Sequence, residues 1–162
     1  MKKKCAEYRW VWLLVAAATV GFIWQQSTLP PADSAEVSNA VGGVLATLLG
    51  GAESPLARFV SRFVRKIAHF TEFAILGLEC EAYLLGRHLH GTTALELGFG
   101  LLVAAADESI QLFTERGAAF TDVLLDFSGF LAAVILLRLA FFLKTVVTNK
   151  RKGGSRAAQN DA

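Results

Sequence analysis

The chain has 162 residues and a formal net charge of +2, with 54% apolar residues, 19% charged residues and a mean hydropathy of +0.46. A soluble domain carries about 25% charged residues and spaces its apolar ones to form one buried face, whereas here they gather into blocks that are apolar all round. That pattern excludes an ordinary soluble domain and suits lipid.

A basic leader over residues 2–9, KKKCAEYR, precedes the apolar run WVWLLVAAATVGFIW. With Tyr8 and Gln26 as interfacial ends, the first span covers about residues 8–26, long enough to cross a bilayer. Trp10, Trp12 and Trp24 supply aromatic belts, and no small-x-small cleavage site follows, so the segment reads as an uncleaved signal anchor. Pro30-Pro31 ends it within a polar turn. Residues 37–51 hold Gly42, Gly43, Gly50 and Gly51 and are too short to span, which predicts an interfacial or re-entrant segment. Ser54-Pro55 then starts a helix that carries Arg58, Arg62, Arg65 and Lys66 on one side and Phe59, Val60 and Phe63 on the other. This amphipathic basic entry helix, its arginines expected at the headgroups with phosphate binding as the alternative, runs without a break into a second span over about 67–85. Third and fourth spans follow over about 94–113 and 124–143, and the tail, 153–162, is polar enough to predict disorder. The expected fold is all-α: an integral membrane bundle of four transmembrane helices, with residues 1–152 as one domain.

Lys and Arg near the spans fix the orientation. With the N-terminus inside, the cytoplasmic face holds the leader cations, Arg87 and the tail cations, and the outside holds Arg58, Arg62, Arg65, Lys66 and Arg116. The bias of roughly two to one predicts a multi-pass cell-membrane protein with both termini cytoplasmic. Cys5 and Cys80 then lie too far apart to pair, and Cys80 reads as a small buried hydrophobe.

The polar residues of three spans fall at one depth. Lys66, His69 and Glu72 enter with the second span, Asp107, Glu108 and Gln111 leave with the third, and Asp122 and Asp126 re-enter with the fourth, with Arg116 in the connector between. A charge in hydrocarbon costs about 2.5–3.5 kcal/mol on insertion scales, so such residues persist where they pair or serve a function. Their bland role is interhelical hydrogen bonding, worth about 0.6 kcal/mol each. Glu79, Glu81 and Arg138 read as snorkelling or locally paired, and His88 and His90 as loop residues. The excess of acid implies a bound cation, a retained proton or a positive ligand. His69 and Glu72 at i, i+3 beside Asp107-Glu108 have the ligand types of a divalent cation site, the one cofactor the sequence suggests. No Ser-His-Asp order, glycine-rich phosphate loop, paired CxxC or nucleic-acid motif is present.

Two stretches resemble the VanZ-like family of bacterial membrane proteins. Residues 65–78, RKIAHFTEFAILGL, are similar to its K-x-x-H-x-x-E-(F/Y)-x-x-L-(G/A) pattern, and residues 107–130, DESIQLFTERGAAFTDVLLDFSGF, to its D-E-x-x-Q-x-(F/Y)…R…D-(V/I)-x-x-(D/N)-x-x-G pattern. The polar turn with Ser27, Pro30 and Ser34 is a fainter echo. Carried over residue by residue, the family positions are Lys66, His69, Glu72, Asp107, Glu108, Gln111, Arg116, Asp122, Asp126 and Gly129. The resemblance implies an envelope role, with a link to low-level resistance to the glycopeptide teicoplanin, and names no reaction. The expected function is recognition, at an outer-leaflet site, of an anionic lipid or lipid-linked cell-wall precursor. The rivals are a membrane enzyme acting on such a lipid, with His69, Glu72, Asp107 and Glu108 as candidate catalytic groups, and a structural subunit whose cluster is interhelical glue. Membrane lipids are the expected partners, and nucleic acid is not.

Overall fold

The computed structural model describes residues 9–30, 36, 40–44, 47–48, 55–87, 92–114 and 119–160, and of residues 9, 56–62, 86–87 and 150–160 the backbone alone. Four long helices carry the chain: α1 (Arg9–Thr28), α2 (Pro55–Arg87), α3 (Thr93–Phe113) and α4 (Phe120–Asn160). They cover the four apolar blocks, and among the described residues there is no strand. The basic entry and the second apolar block form one helix, α2. Residues 40–44 of the glycine-rich segment are helical as well. The backbone of α4 remains helical to Asn160, through most of a tail whose composition predicts disorder. Arg116, Cys5, His88, His90 and the side chains of Arg58 and Arg62 lie outside the described residues.

By length and composition, α4 is the one helix among the described residues that is apolar enough to cross a membrane, over Phe120–Asn149. The physical reason the others fall short is visible in their sequences. α3 holds Glu96, Asp107 and Glu108, α2 holds both the entry cations and four acids or bases further in, and α1 ends in Gln25-Gln26. In α3 all three acids are turned inward. Large apolar side chains cover the outside instead: Leu14 is 71% exposed and Leu102 65%, while Asp107 is 0% and Asp126 2%. Buried carboxylates behind an exposed apolar surface are the reverse of a water-soluble domain and suit an apolar surrounding.

The bundle is organised about the α2–α4 pair, with α1 against α2 and α3, and α3 against α4. Two glycines set the α2–α4 approach. A Cβ on Gly77 would lie 2.5 Å from the Phe130 carbonyl oxygen, and one on Gly129 would overlap the Phe70 carbonyl oxygen. Backbones this close are the small-residue packing of membrane helices, where dispersion contacts replace a hydrophobic drive. Around that crossing Ile23, Phe73, Leu76, Val103, Ala104, Phe130 and Val134 form an apolar middle layer. Polar groups are segregated to its two ends. The upper end is the one at the α3–α4 connector, where α1 also finishes, and the lower end is the one at the α2–α3 connector.

Candidate functional site

At the upper end every helix contributes to one buried network. Asp107 on α3 is its hub. Ser27, in the last turn of α1, donates its hydroxyl to Asp107 Oδ1 at 2.6 Å. Gln111, one turn along α3, donates Nε2 to Asp107 Oδ2 at 2.8 Å and lies 3.4 Å from the Ser27 hydroxyl. The i, i+4 spacing puts Asp107 and Gln111 on one face of α3 and makes this pairing local. Gln111 Oε1 in turn accepts from Arg65 Nη2 of α2 at 2.9 Å. The Thr114 hydroxyl lies 3.2 Å from the Ser27 carbonyl oxygen, tying the end of α1 to the end of α3.

His69 stands beside this hub. Its Nδ1 lies 3.9 Å from both Glu72 Oε2 and Asp107 Oδ2. One ligand atom each of His69, Asp107 and Asp126 falls within 4.8 Å of the others. Imidazole nitrogen with two carboxylates is a donor set for a divalent transition ion, and Ser27 and Gln111 already hold Asp107 as outer-shell partners hold a metal-binding carboxylate. Ligand atoms around one ion with bonds of about 2.0–2.2 Å stand about 3 Å apart, so the three side chains would close in by roughly 1 Å or more to bind one. Glu72 Oε2 and Glu108 Oε2 are buried and accept no hydrogen bond among the described residues.

Toward the helix ends the network reaches a more exposed rim. The Lys66 ammonium, half-exposed, pairs with Asp122 Oδ1 at 2.9 Å. Glu108 Oε1 accepts from the Ala119 backbone N–H, and Asp122 N–H donates to the Ala119 carbonyl at 2.8 Å, which fixes the start of α4 against the end of α3.

Of the residues that the sequence singles out, Lys66, His69, Glu72, Asp107, Gln111, Asp122 and Asp126 come together here, and Glu108 secures the α3–α4 corner beside them. Ser27 and Arg65 join them. Ser27 has only its place in the polar turn to mark it in the sequence. Arg65, expected among the headgroup-facing arginines of the entry helix, donates to Gln111 instead. The lower end holds a separate cluster. Arg138 bonds Glu81 Oε2 through Nε at 2.9 Å, Glu96 Oε2 through Nη2 at 2.6 Å and the Thr93 hydroxyl through Nη1 at 2.9 Å. The local pairing expected of Glu81 and Arg138 is present. Glu96, silent in sequence because a single acid in an apolar block has no motif around it, completes it.

The family model described as VanZ/LLP1 matches residues 10–142. No curated protein and no solved structure matches the chain. The matched stretch takes in all four apolar blocks and both polar clusters, and the family suggests a membrane protein linked to glycopeptide resistance. The chain belongs to the VanZ/LLP1 family.

Proposed function

We propose that this protein crosses the cell membrane four times with both termini cytoplasmic, and that its upper-end cluster is an outer-leaflet site for a phosphate-bearing lipid or lipid-linked cell-wall precursor. The observation that carries this reading is convergence. Ser27, His69, Asp107 and Asp126 come from four different helices and meet in one buried place. Interhelical glue needs one donor and one acceptor per helix pair, whereas this network concentrates several buried carboxylates beneath the half-exposed Lys66. Lys66 has three donors and its bond to Asp122 uses one, which leaves capacity for a phosphate. Five carboxylates beneath an anionic ligand would repel it. A divalent cation on His69, Asp107 and Asp126 would relieve that repulsion and bridge the phosphate to the protein. A link between such a site and glycopeptide resistance would run through the precursor or lipid it holds.

Native mass spectrometry of protein released from membranes in mild detergent tests this. The wild type should retain a phosphate-bearing lipid, and Lys66→Gln should lose it while accumulating in membranes at the normal level. Asp126→Asn, or chelation of divalent cations, should release the lipid too. If Lys66 serves only to neutralise Asp122, Lys66→Gln should lower abundance, and the charge-balanced pair Lys66→Gln/Asp122→Asn should restore abundance and bound lipid together. That restoration, or equal lipid on every variant, contradicts the proposal.

A further inference from the structure

The lower end of the bundle has a feature that the upper site does not use. α1, α2 and α3 line a half-open cavity of about 570 Å³ whose wall includes Trp12, Ala17, Leu84 and Phe99. The wall is almost wholly apolar, and two carboxylates interrupt it. Glu79 and Glu96 both line the cavity, and they are only 6% and 5% exposed. Each is half satisfied. Glu79 Oε1 accepts from the Thr19 hydroxyl at 3.0 Å, and Glu96 Oε2 accepts from Arg138 at 2.6 Å. The remaining oxygens, Glu79 Oε2 and Glu96 Oε1, are buried and accept no hydrogen bond among the described residues. A buried acceptor left without a donor bears its full desolvation penalty, so two of them on one cavity call for an occupant that donates.

The charge balance narrows what that occupant is. Glu79, Glu81 and Glu96 are buried at this end, and among the described residues Arg138 bonds Glu81 and Glu96 but not Glu79. An anionic head would add like charge to this wall. A neutral hydroxyl offers a single donor. A primary ammonium carries three donors and a positive charge, enough for both free oxygens. The volume falls in the range of sites that enclose a small apolar ligand with a few fixed polar contacts.

We propose that this cavity binds a single-chain amphiphile with a primary ammonium head, its alkyl chain along the apolar wall and its ammonium on the free oxygens of Glu79 and Glu96. The site is independent of the upper cluster, and neither proposal requires the other.

Dodecylamine and its neutral analogue dodecanol are suitable probes, titrated into the purified full chain in nanodiscs. Trp12 on the cavity wall reports occupancy by its fluorescence. Dodecylamine should bind saturably, and dodecanol at least tenfold more weakly. Glu79→Gln keeps an acceptor for Thr19 and should weaken the amine at least tenfold while leaving dodecanol unchanged. Ala17→Phe fills the cavity and should abolish saturable binding of both, with the thermal midpoint near that of the wild type. Dodecylphosphate should not compete with the amine. Equal affinity for amine and alcohol would mark an acyl-chain groove and overturn the proposal. So would an unchanged amine affinity in Glu79→Gln, or the absence of saturable amine binding.

Discussion

Asp107 is fully buried, and both of its oxygens accept bonds from side chains on different parts of the bundle, Ser27 of α1 and Gln111 of α3. Removing the Ser27 hydroxyl would leave a buried carboxylate oxygen short of its donor. The penalty for such a group is about 1–3 kcal/mol, above the roughly 0.6 kcal/mol average of interhelical hydrogen bonds in membranes. Ser27→Ala should therefore lower thermal stability in detergent by that larger amount. Ser109→Ala, whose exposed hydroxyl only bonds back to Ala105 of its own helix, should leave the unfolding midpoint nearly unchanged. A Ser27→Ala midpoint equal to that of Ser109→Ala would mean that Asp107 is not the hub described. At this scale the sequence carried much of the site. Asp107, Gln111, Asp122 and Asp126 are i, i+4 pairs on spans that enter or leave by the same face, and depth alone groups them. Ser27 was not recoverable in the same way, because a serine at the end of an apolar helix is equally at home in a turn. Its partner lies 80 residues along the chain.

Helix α2 owes its place to what it lacks. Gly77 and Gly129 occupy the crossing with α4, where a methyl group on either would press on a backbone carbonyl of the facing helix. A carbonyl cannot rotate away as a side chain can, so Gly77→Ala and Gly129→Ala should each force the helices apart, at a cost of about 1–3 kcal/mol or more. Gly100 differs, since an added Cβ would meet the Phe130 ring, at 2.6 Å, which has some freedom to shift. Gly98 and Gly21 have nothing within 4 Å, and alanine there should be neutral or mildly stabilising through helix propensity. Thermal unfolding of the five variants in one detergent checks the order, and Gly129→Ala as stable as Gly98→Ala would refute the close crossing. Both critical glycines sit in the two family-like stretches, in AILGL and DFSGF, so the pattern flagged them while leaving the reason open. Pairwise approach of backbones has no signature in a single sequence. The helices themselves were legible, because continuous apolar blocks bounded by Pro30-Pro31, Pro55 and short polar connectors leave few alternatives.

Seen as a whole, the molecule is an apolar layer between two polar ends, with large hydrophobic side chains outside and carboxylates within. The upper end gathers Ser27, Arg65, His69, Asp107, Gln111 and Asp126, and the lower end Glu79, Glu81, Glu96 and Arg138. Among the described residues composition marks α4 alone as apolar enough to cross a membrane, because polar and charged residues interrupt the apolar stretches of the other helices more often. The lower cavity was hidden for a related reason. Its two acids come from different helices and its wall from three, a juxtaposition that only packing creates. In the orientation proposed, the network joining all four helices lies at the outer face of the membrane, within reach of an envelope ligand. Cysteine labelling in intact cells with an impermeant thiol reagent checks that orientation, on a background with Cys5 and Cys80 replaced by serine. Pro30 and Thr121 are exposed residues at the upper end, and Thr92 lies at the lower end. Pro30→Cys and Thr121→Cys should label in intact cells, and Thr92→Cys only after the membrane is permeabilised. Labelling of Thr92→Cys in intact cells, with Pro30→Cys and Thr121→Cys protected, would put the network on the cytoplasmic side, out of reach of an envelope ligand.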